Sequence, residues 1–156
     1  NILYGKGNLR AIQDVGTYEF EKDIKGISVA FGKLVCLQIA YLLIRGFLKG
    51  DKPLTASRIS EVLKTPIRLV RQILYMLVES GIASEIITEE PKETAYQPAR
   101  DINTLTIGYI IEAIDKKGSD NIPIARSREL NALSDALEAF NDIIRNCPAN
   151  KLLKDI

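Results

Sequence analysis

Two amphipathic segments separated by Lys64-Thr65-Pro66 constrain this chain more than any other stretch. Pro66 fixes its own φ and pushes Thr65 out of helical geometry, so the two segments cannot run on as one helix. Before the break, Thr55 is placed to cap a helix carrying Ala56, Ile59, Val62 and Leu63 at helical spacing. After it, Thr65 is a good N-cap and Pro66 a good first helical residue. The second segment, Pro66–Ser80, has a wide apolar face of Ile67, Val70, Ile73, Leu74, Leu77 and Val78. Its opposite face carries Arg68, Arg71, Gln72, Tyr75 and Glu79. Gly81 supplies the left-handed residue that closes such a helix, with Ile82 packing back on it. A short helix, a tight turn and a longer helix with a polar stripe predict a helix-turn-helix.

Ile82–Thr88 and Thr94–Ala99 both favour strand, and Glu89-Glu90-Pro91-Lys92-Glu93 between them is polar and broken by proline. This predicts a hairpin, or wing, with a solvated tip, ended by Pro98. The expected fold class is therefore mainly α with a small β-hairpin: a winged helix-turn-helix with an added long C-terminal helix.

Around that centre the chain divides into an arm (1–26), the winged-helix domain (27–118) and a C-terminal helix with its tail (119–156). Gly5, Gly7 and Gly16 interrupt any helix in the arm, and Thr17–Phe20 suits a short extended piece. Ile27–Leu48 is the most apolar stretch, with Lys33 and Arg45 its only charges. The uncharged run Leu34–Ile44 falls short of the ~20 residues of a membrane span, so a helix buried on several sides is expected, one face against the helix-turn-helix and the other against a second subunit or the final helix. Thr106 is placed to cap a helix bearing Ile107, Ile110, Ile111 and Ile114. Ser127 is placed to cap a last helix over Arg128–Asn146. On it Leu130, Leu133, Leu137, Phe140 and Ile144 form a seam at steps of 3 and 4. Two readings of that seam stay open, packing on its own domain or pairing with a second subunit.

No histidine occurs in the 156 residues, which removes the commonest general base and metal ligand. A Ser-His-Asp triad or a histidine-bound zinc is excluded within this chain. Cys36 and Cys147 stand far apart and form no metal or redox motif. No catalytic residue, metal site or cofactor is expected. The chain begins at Asn1 and reads as a piece cut from a longer polypeptide.

Pro53-Leu54-Thr55-Ala56, Pro66-Ile67-Arg68-Leu69-Val70-Arg71 and Ala95-Tyr96-Gln97-Pro98-Ala99-Arg100-Asp101 stand in an order that resembles one group. The arm Asp14–Glu21 and the tail Pro148–Ile156 share the likeness. The group is the YihY/BrkB family of bacterial inner-membrane proteins, often labelled ribonuclease BN, some of which carry a cytosolic winged-helix extension. The resemblance covers nearly the whole chain. It implies a membrane domain before Asn1, a place on the cytoplasmic side of the inner membrane, and no membrane insertion of these residues themselves. The winged-helix part also resembles Rrf-type transcriptional regulators, without their cysteine cluster.

Two functions follow. The favoured one is a non-catalytic interaction or assembly domain, whose partner is a second copy or the membrane domain of its own parent chain. The alternative is a DNA- or RNA-binding module. There Arg68, Arg71, Gln72 and Tyr75 face a groove, Arg suiting guanine and Gln adenine, with Lys64 or Arg71 on phosphates. Charge ranks the two: residues 55–100 hold six basic and six acidic side chains, and the whole chain is +1. Neutralising phosphates is the main source of affinity for nucleic acid, and a neutral module lacks it. Each residue also has a plain reading: Arg68 and Arg71 as solvated charges, Tyr75 as surface cover, Tyr96 as a strand residue under the wing.

Overall fold

The computed structural model describes residues 26–89 and 92–156. The expectations for the N-terminal arm, and Glu90 and Pro91 of the wing tip, lie outside them. Helix α1 (Val29–Lys49) starts at Ser28, whose Oγ accepts from Phe31 N at 3.2 Å. Val35, Cys36, Ile39, Ala40, Leu43 and Ile44 recur on one side of it and are buried. Within the single chain the final helix does not cover its other face. Val29, Phe31, Leu34, Phe47 and Leu48 are exposed, because the domain covers only one face. Nor is α1 too short to span: its 21 residues meet the length and composition of a membrane helix. The expectation counted only the uncharged run, and what places α1 is its stripe inside the core.

Strand β1 (Leu54–Thr55) leads into helix α2 (Ala56–Leu63), capped by Thr55 Oγ1 accepting from Arg58 N at 3.2 Å. Helix α3 (Ile67–Glu79) follows. The turn between them departs from the expected Thr65 cap. Lys64 takes a left-handed conformation at φ 51°. Thr65 turns its hydroxyl back to Leu63 O, while Ser60 Oγ donates to Thr65 O at 2.7 Å. Pro66 sits at the cap position of α3 and offers no side-chain acceptor. The chain reversal absorbs the hydroxyl that would otherwise have capped the helix.

Gly81 closes α3 at φ 70°. Its N–H donates to Val78 O and that of Ile82 to Leu77 O, the paired bonds of a Schellman ending. Strand β2 (Ala83–Ile87) then pairs with β3 (Thr94–Pro98), and β3 pairs on its other side with β1. The wing is thus a three-stranded antiparallel sheet in the order β1-β3-β2, with Tyr96 opposite both Leu54 and Glu85. The sequence reading missed β1, because two residues carry no alternation to read.

Helix α4 (Ile107–Asp115), capped by Thr106, and helix α5 (Arg128–Asn146), capped by Ser127, follow. After α5 the chain returns to the domain. Leu153 N donates to Leu105 O, Ile107 N to Lys151 O, and the Leu153 side chain is buried. Helix α5 itself has no buried residue. The seam touches its own domain at one end, where Ile144 lies beside Gly108 of α4, and Leu133, Leu137 and Phe140 stay exposed, so both readings remain open.

One ionic joint fixes the end of α5. Arg145 meets Glu112 of α4 through both carboxylate oxygens, Nη2 to Oε1 at 2.8 Å and Nε to Oε2 at 3.3 Å. Its Nη1 reaches Glu138 at 3.0 Å and Asp142 at 2.6 Å. Lys116 adds a 2.6 Å contact to Glu112. Asn150 braces the same place, accepting from Gly108 N at 2.7 Å and donating to Arg145 O at 3.1 Å.

Two outcomes are expected. An L-residue in the left-handed region costs about 1–2 kcal/mol, so Gly81→Ala should lower unfolding stability by that order in urea titration. Its new Cβ would also stand 3.3 Å from Arg100 Nη2. The second concerns Glu112, whose carboxyl Arg145 and then Lys116 hold at about 2, below the usual 4.5. The folded value is depressed, so the stabilisation is complete above pH 4.5 and lost as pH falls through about 2. Glu112→Gln should melt below the wild type at pH 7, and the gap should close between pH 4.5 and 2.

Candidate nucleic-acid interface

Helix α3 has an inner and an outer surface. Val70, Ile73, Leu74 and Leu77 are buried against α1 and α2. Arg68, Arg71 and Tyr75 are exposed at steps of 3 and 4, so they form one stripe along the outer side. Lys64 is also exposed, in the turn that precedes the helix.

Gln72 does not join them. Helical spacing sets it beside Arg68, yet it is only 2% exposed and cannot reach a base edge. The end of α4 lies near α3, where Ile114 and Asp115 line one groove with Leu69 and Met76. Periodicity gives the angle of a residue on its helix and says nothing of which neighbour covers that angle.

Arg71 and Tyr75 open onto a cleft of about 370 Å³. Thr55, Ala56 and Ser57 at the start of α2 line one side, and Glu85, Glu93, Thr94 and Tyr96 of the wing line the other. Lys64 and Arg68 are not among its lining residues. Burial pushes the Tyr96 phenol up, the nearby Glu85 carboxylate adds to this, and Arg71 opposes it. Tyr96 therefore stays a neutral hydroxyl near neutral pH, able to donate and to accept. Arg71 supplies charge-assisted donors, and Tyr75 an aromatic face.

The sequence reading missed Lys117. Its ammonium lies 4.7 Å from the centroid of the Tyr75 ring, a cation–π contact that adds positive charge beside the stripe. The pair Lys116-Lys117 was visible in the sequence. Its place was not, because only packing brings the end of α4 to α3. Against these cations stand Glu85 and Glu93, which put negative charge on the cleft's own wall.

A second surface lies on α5. Leu133, Leu137 and Phe140 are 65%, 63% and 59% exposed; Ile144 is also exposed and Leu130 half-buried. Ile143, outside the expected seam, is 67% exposed and widens it. Among the described residues no group of three histidine, cysteine or acidic side chains is placed to hold a metal ion. Burial raises the Cys36 thiol to about 11 and leaves it unreactive, whereas Cys147 is exposed.

The sequence matches no family model and no curated protein. Its structure is similar to several solved ones. IscR of T. potens matches at TM-score 0.54 and 18% identity, over 84% of this chain and 89% of that one. CymR, the global cysteine regulator of B. subtilis, matches at 0.55 and 18%, over 83% and 93%. A Listeria innocua protein described as a transcriptional regulator matches at 0.55 and 19%, over 82% and 84%. At these identities the likeness is one of fold, and the fold of this chain is that of the IscR- and CymR-type winged helices.

Proposed function

We propose that this chain is a DNA-binding winged-helix module that works as a homodimer. One observation carries the reading: α3 exposes a stripe of Arg68, Arg71 and Tyr75, of which Arg71 and Tyr75 open onto a cleft between α2 and the wing. Lys117 brings a further cation to that place from α4. A groove of duplex DNA admits one helix, and a helix-turn-helix presents its second. The likeness in fold to the regulator CymR and to the Listeria innocua protein described as a transcriptional regulator supports the same use of the fold. Affinity has to come from a few well-placed cations rather than from net charge, which is only +1.

The dimer reading rests on α5. A helix that exposes Leu133, Leu137, Phe140, Ile143 and Ile144 leaves apolar area in water, at about 25 cal/mol per Å². Pairing with the same helix of a second copy removes that cost, and symmetric self-complementary contacts are the commonest way to do so.

The unpartnered seam and the even charge balance also favour a second reading, an assembly domain of a membrane protein of the YihY/BrkB type. In that case the domain sits on the cytoplasmic side of a bacterial inner membrane. Its partner is the membrane part of its own chain or another copy.

Duplex DNA binding measured from low to moderate salt separates the two. The first reading expects log K to fall steeply with log salt, and Arg71→Ala, lost from both copies, to make the slope shallower by about 2. Negligible binding at low salt leaves the assembly reading in its place. Sedimentation should give a dimer mass, and Leu137→Glu with Phe140→Glu should yield a folded monomer.

A further inference from the structure

A second hollow lies on the far side of α3 from the cleft. It measures about 170 Å³ and is walled by α1, α3 and α4. Val35 and Cys36 of α1, Leu69, Ile73 and Met76 of α3, and Ile114 of α4 make its lining apolar. A cavity of about 150 Å³ with apolar walls holds a benzene ring, so this one has room for a side chain the size of leucine, methionine or phenylalanine. Gly32 lines it as well, in the first turns of α1 where glycine weakens a helix. A Cβ built there meets nothing within 4 Å, so the glycine leaves the space open and is not forced by crowding.

The lining carries one pair of opposite charges. Lys33 of α1 and Asp115 of α4 both border the cavity and meet each other at 2.8 Å. Both are partly exposed, so the pair is exchangeable with solvent and with a ligand. A ligand with a single charge would pair with one member and leave the other without its partner. A zwitterion satisfies both.

We propose that this cavity binds a hydrophobic α-amino acid, its side chain among Leu69, Ile73, Met76 and Ile114, its carboxylate on Lys33 and its ammonium on Asp115. No bond is made or broken. The ligand would press on the inner side of the helix that carries Arg68 and Arg71, which makes it an effector if the DNA reading holds. The binding itself does not depend on that reading.

Met76 is the one methionine in the sequence, so methionine labelled with ¹³C at its methyl reports on the cavity directly. Titration with phenylalanine and with leucine should move that signal saturably, with Kd of roughly 0.1–1 mM for ligands of this size. Phenethylamine and 3-phenylpropionate, each lacking one charge, should bind about tenfold more weakly, and serine should not bind. Gly32→Leu should abolish the shift by filling the space. Lys33→Gln and Asp115→Asn, both surface changes, should each erase the preference for the zwitterion. The proposal is overturned if neither amino acid gives a saturable shift, if the single-charge analogues bind as well, or if Gly32→Leu leaves the shift intact. It falls equally if Gly32→Leu changes the sedimentation mass without ligand, since the hollow would then be filled by another copy.

Discussion

The core of the described residues is seated on one stripe of α1. Val35, Cys36, Ile39, Ala40, Leu43 and Ile44 give a continuous apolar floor, and α3, the wing and the returning tail all lie against it. Burial of such side chains is worth about 1.5–3 kcal/mol each, and the inner face of α3 supplies the matching surface. Because α3 is held from behind, its outer stripe can be polar at no cost to the core. The same arrangement explains why α1 has the composition of a membrane helix: its centre is oily because α3, the wing, α4 and the tail meet it there.

The electrostatics of the candidate interface are local. Arg71 opposes the upward push that burial and Glu85 give the Tyr96 phenol, while Lys117 rests on Tyr75. Glutamates on the wing side of the cleft subtract from the field a polyanion would feel. A surface of this kind favours few, directed contacts over general attraction. That also distinguishes it from a nonspecific polyanion binder, which needs net charge.

Much of the fold was legible in the chain. Thr55, Thr106 and Ser127 announce three helices through side chains that cap in the structure, and Gly81 announces the end of a fourth. The hairpin was legible from its strands and broken tip. What escaped depends on tertiary neighbours. Strand β1 exists because β3 offers it a partner. Thr65 looked like a cap, but the left-handed Lys64 turned it elsewhere. Gln72 looked exposed because a helical wheel carries no tertiary neighbours. Of the candidate site, Arg68, Arg71 and Tyr75 were readable from spacing alone, whereas Lys117 was not, since 42 residues of chain separate it from Tyr75.

The tail after α5 makes that helix an excursion. The chain departs from the domain at the end of α4 and is captured again at the end of α5 by Arg145 on Glu112 and then by Asn150, whose side chain bonds Gly108 near the start of α4, before Leu153 closes the core. Departure and return are thus anchored on the same small element, and nothing in the core is contributed by the helix between them. Its length is consequently a free variable. Turns can be added or removed in steps of about 5.4 Å, so the reach of the protruding arm can drift over evolutionary time, or be set by an engineer, while the scaffold beneath stays unchanged.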